Sequence, residues 1–100
     1  MYDMKNLEKF GMLRELAPEG FKGFVEFDAA AFRGGAIPLK YKELMAVAVA
    51  LTTQCPYCIA IHAEKAKKAG ATEQELAETT LVAAALRAGG AMTHGTHTLE

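Results

Sequence analysis

The chain has 100 residues and a mass of 10.7 kDa, with 51% apolar residues, 23% charged residues and a formal net charge of -1. That length suits a single domain spanning residues 1–100, and a near-neutral balance with no basic block argues against a nucleic-acid or anionic-membrane partner. The opening MYDMKNLEKFG is charged throughout, and the longest apolar run, residues 44–51, is far too short to span a bilayer, so a reducing cytoplasm is the expected compartment.

The periodicity predicts an all-α fold of about six helices, and no apolar/polar alternation bounded by hairpin turns signals a strand. Met4, Leu7, Phe10, Leu13 and Leu16 recur at helical spacing in a first helix that ends before Pro18. Pro18 suits the first position of a second helix, whose apolar side is Phe21, Phe24, Val25, Phe27, Ala31 and Phe32 and which Gly34-Gly35 stops. Pro38 starts a third helix running to about Thr53. Pro56 starts a fourth, which Gly70 ends just after Lys65, Lys67 and Lys68, cations placed at the negative end of the helix dipole. Thr72-Glu73-Gln74-Glu75 reads as a capping box opening a fifth helix, expected to stop at Gly89-Gly90. A short sixth helix or turn over residues 91–97 closes the chain.

Two segments, LMAVAVAL at 44–51 and LVAAALRAGGA at 81–91, are apolar nearly all round, a pattern of helices buried on every side. A 100-residue monomer has little interior in which to hide two of them, so a homo-oligomer is expected.

Both cysteines lie in QCPYCIAIH, residues 54–62. Pro56 at the first helical position makes Cys55 the N-cap and puts Cys58 in the first turn. The free N–H groups and positive dipole end there favour a thiolate, the form that attacks peroxides and disulfides. His62, four residues after Cys58, shares its helix face and is suited to relay a proton near neutral pH. Zinc is the competing chemistry, with Cys55, Cys58 and His62 completed by Glu43, His94 or His97. Plain core packing of the two thiols is the third reading. The spacing within an apparently cytosolic chain favours the redox dithiol, and a disulfide between them would close too short a loop to stabilise the fold much. Glu43, just before the apolar run, is either a solvated helix residue or, if it faces the core, a carboxylate whose pKa desolvation raises toward neutrality.

Glu43, then Cys55-Pro56-Tyr57-Cys58, then His62 reproduce the Glu-x(11)-Cys-x-x-Cys-x(3)-His pattern, and over residues 36–95 the chain resembles the alkylhydroperoxidase-D-like proteins of the carboxymuconolactone decarboxylase superfamily. The resemblance implies a helical trimer or hexamer acting as a thiol-dependent peroxidase or disulfide oxidoreductase in antioxidant defence. Cys58 matches the peroxide-attacking cysteine, Cys55 the resolving one, and Glu43 with His62 the proton relay, so Cys55 and Cys58 form the redox disulfide. No bound metal or cofactor is implied. The partners are a peroxide substrate and an external dithiol-carrying reductant, a lipoyl group in the best-understood branch. Tyr57 and His94 are accessory candidates, Tyr57 against the dithiol and His94 reaching the site from the last turn, whereas His97 reads as tail. The alkylhydroperoxidase-D branch is longer and carries a histidine where this chain has Tyr57, and a phenol titrating near pH ~10 does not replace that base. The decarboxylase branch generally lacks the cysteine pair, which argues against lactone decarboxylation. A non-catalytic redox sensor and a zinc-stabilised helical interaction module are the competing functions.

Overall fold

A computed structural model describes residues 3–99. It contains α1 (Phe10–Leu16), α2 (Pro18–Phe32), α3 (Leu39–Thr53), α4 (Pro56–Lys68) and α5 (Glu73–Gly95), flanked by 3-10 turns at Met4–Lys9 and Thr96–Thr98. Among the described residues there is no strand, as the sequence pattern predicts.

The helix starts follow local chemistry. Pro18 and Pro56 each occupy a first-turn position, where a missing N–H costs nothing. Pro38 instead sits one place earlier, as the extended N-cap of α3. Thr72 completes the predicted capping box: its hydroxyl accepts from the Glu75 N–H at 3.0 Å while Glu75 Oε1 accepts from the Thr72 N–H at 2.9 Å. α4 ends at Lys68, and just past its C-cap Ala69 stands Gly70, whose φ of +101° is a left-handed conformation that glycine adopts without strain.

The expected break at Gly89-Gly90 does not occur. α5 runs straight through both glycines to Gly95, and Thr96–Thr98 forms one 3-10 turn in place of a sixth helix. A glycine inside a helix costs only about 1 kcal/mol relative to alanine, and neither of these two turns left-handed. The alanine- and leucine-rich LVAAALRA stretch that precedes them outweighs that cost.

α3 is the centre of the fold, packed against α4 on one side and α5 on the other, whereas α1 and α2 form an arm that touches α3 mainly near the end of α2. The buried apolar side chains are few and small: Leu44, Val47 and Ala50 of α3, Ala66 of α4 and Ala83 of α5. Large apolar side chains remain exposed on every long helix except α4, among them Phe24 and Phe27 on α2, Met45 and Val49 on α3, and Leu81, Val82 and Leu86 on α5.

Candidate active site

Glu43 is the one charged residue buried among the described residues, at 4% exposure. It occupies the same stripe of α3 as Val47 and Ala50, four and seven residues on, so the helix that builds the core also carries this carboxylate inward. Its partner is on α4: Glu43 Oε1 lies 2.7 Å from Nδ1 of His62. With the carboxylate ionised, Nδ1–H donates to it and Nε2 becomes the acceptor of the ring. The sequence alternatives for Glu43 are thereby resolved toward the core-facing one. Glu43 also lines a pocket of about 230 Å³ with Leu39, Lys65, Lys68 and Ala69, beside the lysine-rich end of α4.

One face of the His62 imidazole is covered. The ring of Phe32, the last residue of α2, stacks on it with centroids 4.9 Å apart and planes 7° from parallel. Nothing in the sequence pattern singles out Phe32 from the other apolar residues of its helix.

The dithiol sits at the start of α4. Both cysteines are free and half-buried. The chain reaches Cys55 through Gln54, which caps α3 in a left-handed conformation at φ 55°. The Cys55 sulfur caps α4 by accepting the Cys58 N–H at 3.2 Å. The two thiols are not equivalent. A hydrogen bond from the Cys58 thiol, with the Cys58 N–H adding to it, holds Cys55 below the ordinary thiol value of 9.0. Cys58 is pushed above that value by the same thiol–thiol bond, then by burial and by the charge on Cys55. Of the pair, Cys55 is therefore the thiol more easily ionised and Cys58 the less.

Tyr57, between the cysteines, holds the N-terminal segment. Its phenol oxygen accepts from Asn6 Nδ2 at 2.9 Å and from the Asp3 N–H at 3.2 Å. The sequence offered no signal for that contact, because the partners are more than 50 positions apart. His94 and His97 are exposed near the C-terminal end, their rings 5.6 Å apart. Among the described residues, no three His, Cys, Asp or Glu side chains gather closely enough to hold a metal ion, and no helix is long and apolar enough to cross a membrane.

Residues 18–100 match the model of the carboxymuconolactone decarboxylase family. The chain belongs to that family. A carboxymuconolactone decarboxylase family protein from Legionella pneumophila, solved in its apo form, superposes with a TM-score of 0.77 at 38% identity, covering 80% of this chain and 71% of that one. A protein from Methanobacterium thermoautotrophicum superposes with a TM-score of 0.81 at 38% identity, over 86% of this chain and 97% of that one. Among curated relatives, uncharacterized protein 4 of the cox locus of Paracoccus denitrificans is 42% identical over 76 residues, 76% of this chain and 68% of its own length. An uncharacterized protein of Haemophilus influenzae is 43% identical over 59 residues, and the match spans about half of it, 52%. The family includes alkylhydroperoxidase-D-like peroxidases as well as decarboxylases, and the all-helical architecture agrees with the resemblance drawn from the Glu43, Cys55, Cys58 and His62 pattern.

Proposed function

We propose that this protein is a thiol-dependent peroxidase or disulfide oxidoreductase working through Cys58 and Cys55, with Glu43 and His62 as its proton relay. The observation that carries this reading is the 2.7 Å bond between a buried carboxylate and a histidine one helical turn beyond Cys58. A carboxylate–imidazole pair of this kind fixes the tautomer and supports the imidazolium that forms when the ring takes a proton.

The unequal thiols fit a division of labour. Cys58, whose thiol resists ionisation, needs a base, and His62 is on its helix face. Once deprotonated, Cys58 attacks the O–O bond of a hydroperoxide. The sulfur becomes a sulfenic acid and the alkoxide leaves as the alcohol, taking the proton held by His62. Cys55, the more easily ionised thiol, then attacks the sulfenic sulfur as thiolate and closes the disulfide, and the sulfenic hydroxyl leaves as water with the proton that Cys55 gave up. An external dithiol attacks at Cys55, Cys58 leaves, and the reductant is released as its own disulfide. A lipoyl group is the proposed carrier of that dithiol, a homo-oligomer the proposed assembly and the cytoplasm the proposed location.

The cysteine pair favours the thiol branch of the family over the decarboxylase branch. The zinc-stabilised alternative is separated by metal analysis of the purified protein, in which stoichiometric zinc would overturn the redox reading. Following peroxide consumption with dihydrolipoamide as reductant tests the proposal. Catalytic turnover in the wild type and its loss in Cys58→Ser are expected. A single stoichiometric oxidation without turnover would replace the enzyme by a redox sensor.

A further inference from the structure

We infer that Phe32 is a positioning residue that fixes the plane of the His62 imidazole, and that Lys42 holds Phe32 in place. This rests on the reading of His62 as a proton carrier. The Glu43 carboxylate binds only Nδ1. A single hydrogen bond selects which edge of the ring faces the carboxylate but leaves the ring free to rock about it, because the terminal torsion of histidine is broad. Phe32 supplies the missing constraint. Its ring lies 7° from parallel to the imidazole at 4.9 Å, so rocking out of plane drives one ring into the other. The two contacts together set the direction of Nε2. A phenyl ring makes no hydrogen bond with either ring nitrogen, so Nε2 stays available for proton transfer while water is kept off one face.

Packing around Phe32 within the chain is open on one side. A cavity of about 230 Å³ opens beside it, lined by Ala31, Phe32, Ile37, Lys42, Met45 and others on α2 and α3. Polar ties hold it there. Lys42 Nζ donates to the Ala31 carbonyl at 2.9 Å and to the Arg33 carbonyl at 2.7 Å, the residues on either side of Phe32. These are carbonyls freed at the end of α2, where a lysine ammonium also suits the helix dipole. Lys42 precedes Glu43 in the first turns of α3, so one turn of helix carries both the acceptor for Nδ1 and the clamp for the stacking ring.

The test reads the ring rather than the reaction. A proton NMR spectrum of the intact protein should contain a downfield His62 Nδ1–H resonance protected from exchange with water. Phe32→Leu keeps an apolar side chain but removes the flat wall, and the exchange rate should rise at least about tenfold, while Phe32→Tyr should keep the protection. Lys42→Met, which retains the aliphatic stem and leaves Phe32 intact, should behave like Phe32→Leu, and Lys42→Arg like the wild type. Where peroxide turnover is measurable, Phe32→Leu should lower kcat about 10- to 100-fold with little change in KM, the size expected of a misaligned catalytic group. Exchange within twofold of wild type in both Phe32→Leu and Lys42→Met overturns the inference. Because the resonance needs no substrate, wild-type protein without peroxidase activity would remove the proposed function and leave this measurement standing.

Discussion

If the protein forms the proposed homo-oligomer, replacing Leu86 by aspartate should reduce it to a monomer. The accessible surface of the chain is 7685 Å², whereas surface–mass scaling gives about 5,500 Å² for a folded monomer of this size. The excess of about 2,200 Å² per chain lies in the range of surfaces buried by obligate assemblies. The radius of gyration agrees: it is 16.6 Å, against about 13 Å for a compact chain of 100 residues. Exposed apolar side chains on α3 and α5 offer part of such a surface: Met45 and Val82 line one groove of about 390 Å³, and Leu86, 69% exposed, follows one turn after Val82. Burying a leucine there contributes about 1.5–3 kcal/mol, and an aspartate forced into the same place adds a desolvation cost of several kcal/mol. At about 4 kcal/mol or more per interface, association weakens at least about 1,000-fold. Sedimentation velocity at micromolar protein, with far-UV circular dichroism alongside, should show wild type at a multiple of 10.7 kDa and Leu86→Asp near the monomer mass. A wild-type monomer of full helicity, or a Leu86→Asp variant that assembles like wild type, would refute the area reasoning.

The thiol asymmetry should respond to its leading cause. Cys58→Ala removes the thiol donor and should move the Cys55 alkylation profile up toward 9.0, whereas Cys58→Ser keeps a hydroxyl donor and should leave Cys55 reactive at lower pH. The buried pair should show strong coupling in urea unfolding at fixed protomer concentration. Glu43→Leu strands the His62 N–H at a cost of about 1–3 kcal/mol, and His62→Leu strands a buried carboxylate at about 3–5 kcal/mol. The double variant should lie near or above wild type, and additive losses would contradict a desolvated pair. Thr72→Ala should destabilise α5 by about 1 kcal/mol, read as a lower urea midpoint. Glu75 is held below the ordinary 4.5 first by the Thr72 N–H and then by Lys40. Its contribution is therefore complete above pH 4.5 and is lost as pH falls through the depressed folded value. Glu75→Gln should flatten that acid limb in a circular dichroism titration.

Features set by neighbours in the chain were legible beforehand. Pro18, Pro56 and the Thr72 box mark helix starts because their chemistry acts within one turn, and the same logic placed Cys55 at the N-cap. Gly89-Gly90 misled because a glycine pair permits a helix to end without requiring it, and here the backbone stayed helical through both. The inward face of Glu43 was ambiguous because α3 is apolar nearly all round, so periodicity could not separate its core stripe from its exposed one. Tyr57 with Asn6, and Phe32 with His62, depend on where distant segments return, and nothing in their local sequence records that. The ordering of the two thiols was hidden for a different reason: dipole reasoning favours both, and it is their mutual interaction at the helix tip that lowers Cys55 and raises Cys58.

The placement of Glu43 ties the candidate chemistry to the way the fold is held together. Val47 and Ala50, on the same stripe of α3, belong to a core whose other buried apolar members are Leu44, Ala66 and Ala83. Giving one position of so small a core to a carboxylate sacrifices apolar burial and adds a desolvation cost that His62 only offsets. Domains have net stabilities of about 5–15 kcal/mol, so a site that costs a few kcal/mol takes a large share. A leucine at position 43, paired with an apolar residue at 62, would serve packing better. A cost without a packing gain is what the proposed proton-relay role would explain. In the proposed homo-oligomer, burial of the exposed apolar faces of α3 and α5 between chains would offset the stability that the Glu43–His62 pair withholds from the monomer. Loss of assembly should consequently loosen the Glu43–His62 bond as well, because the helix that carries Glu43 inward also presents Met45 and Val49 outward.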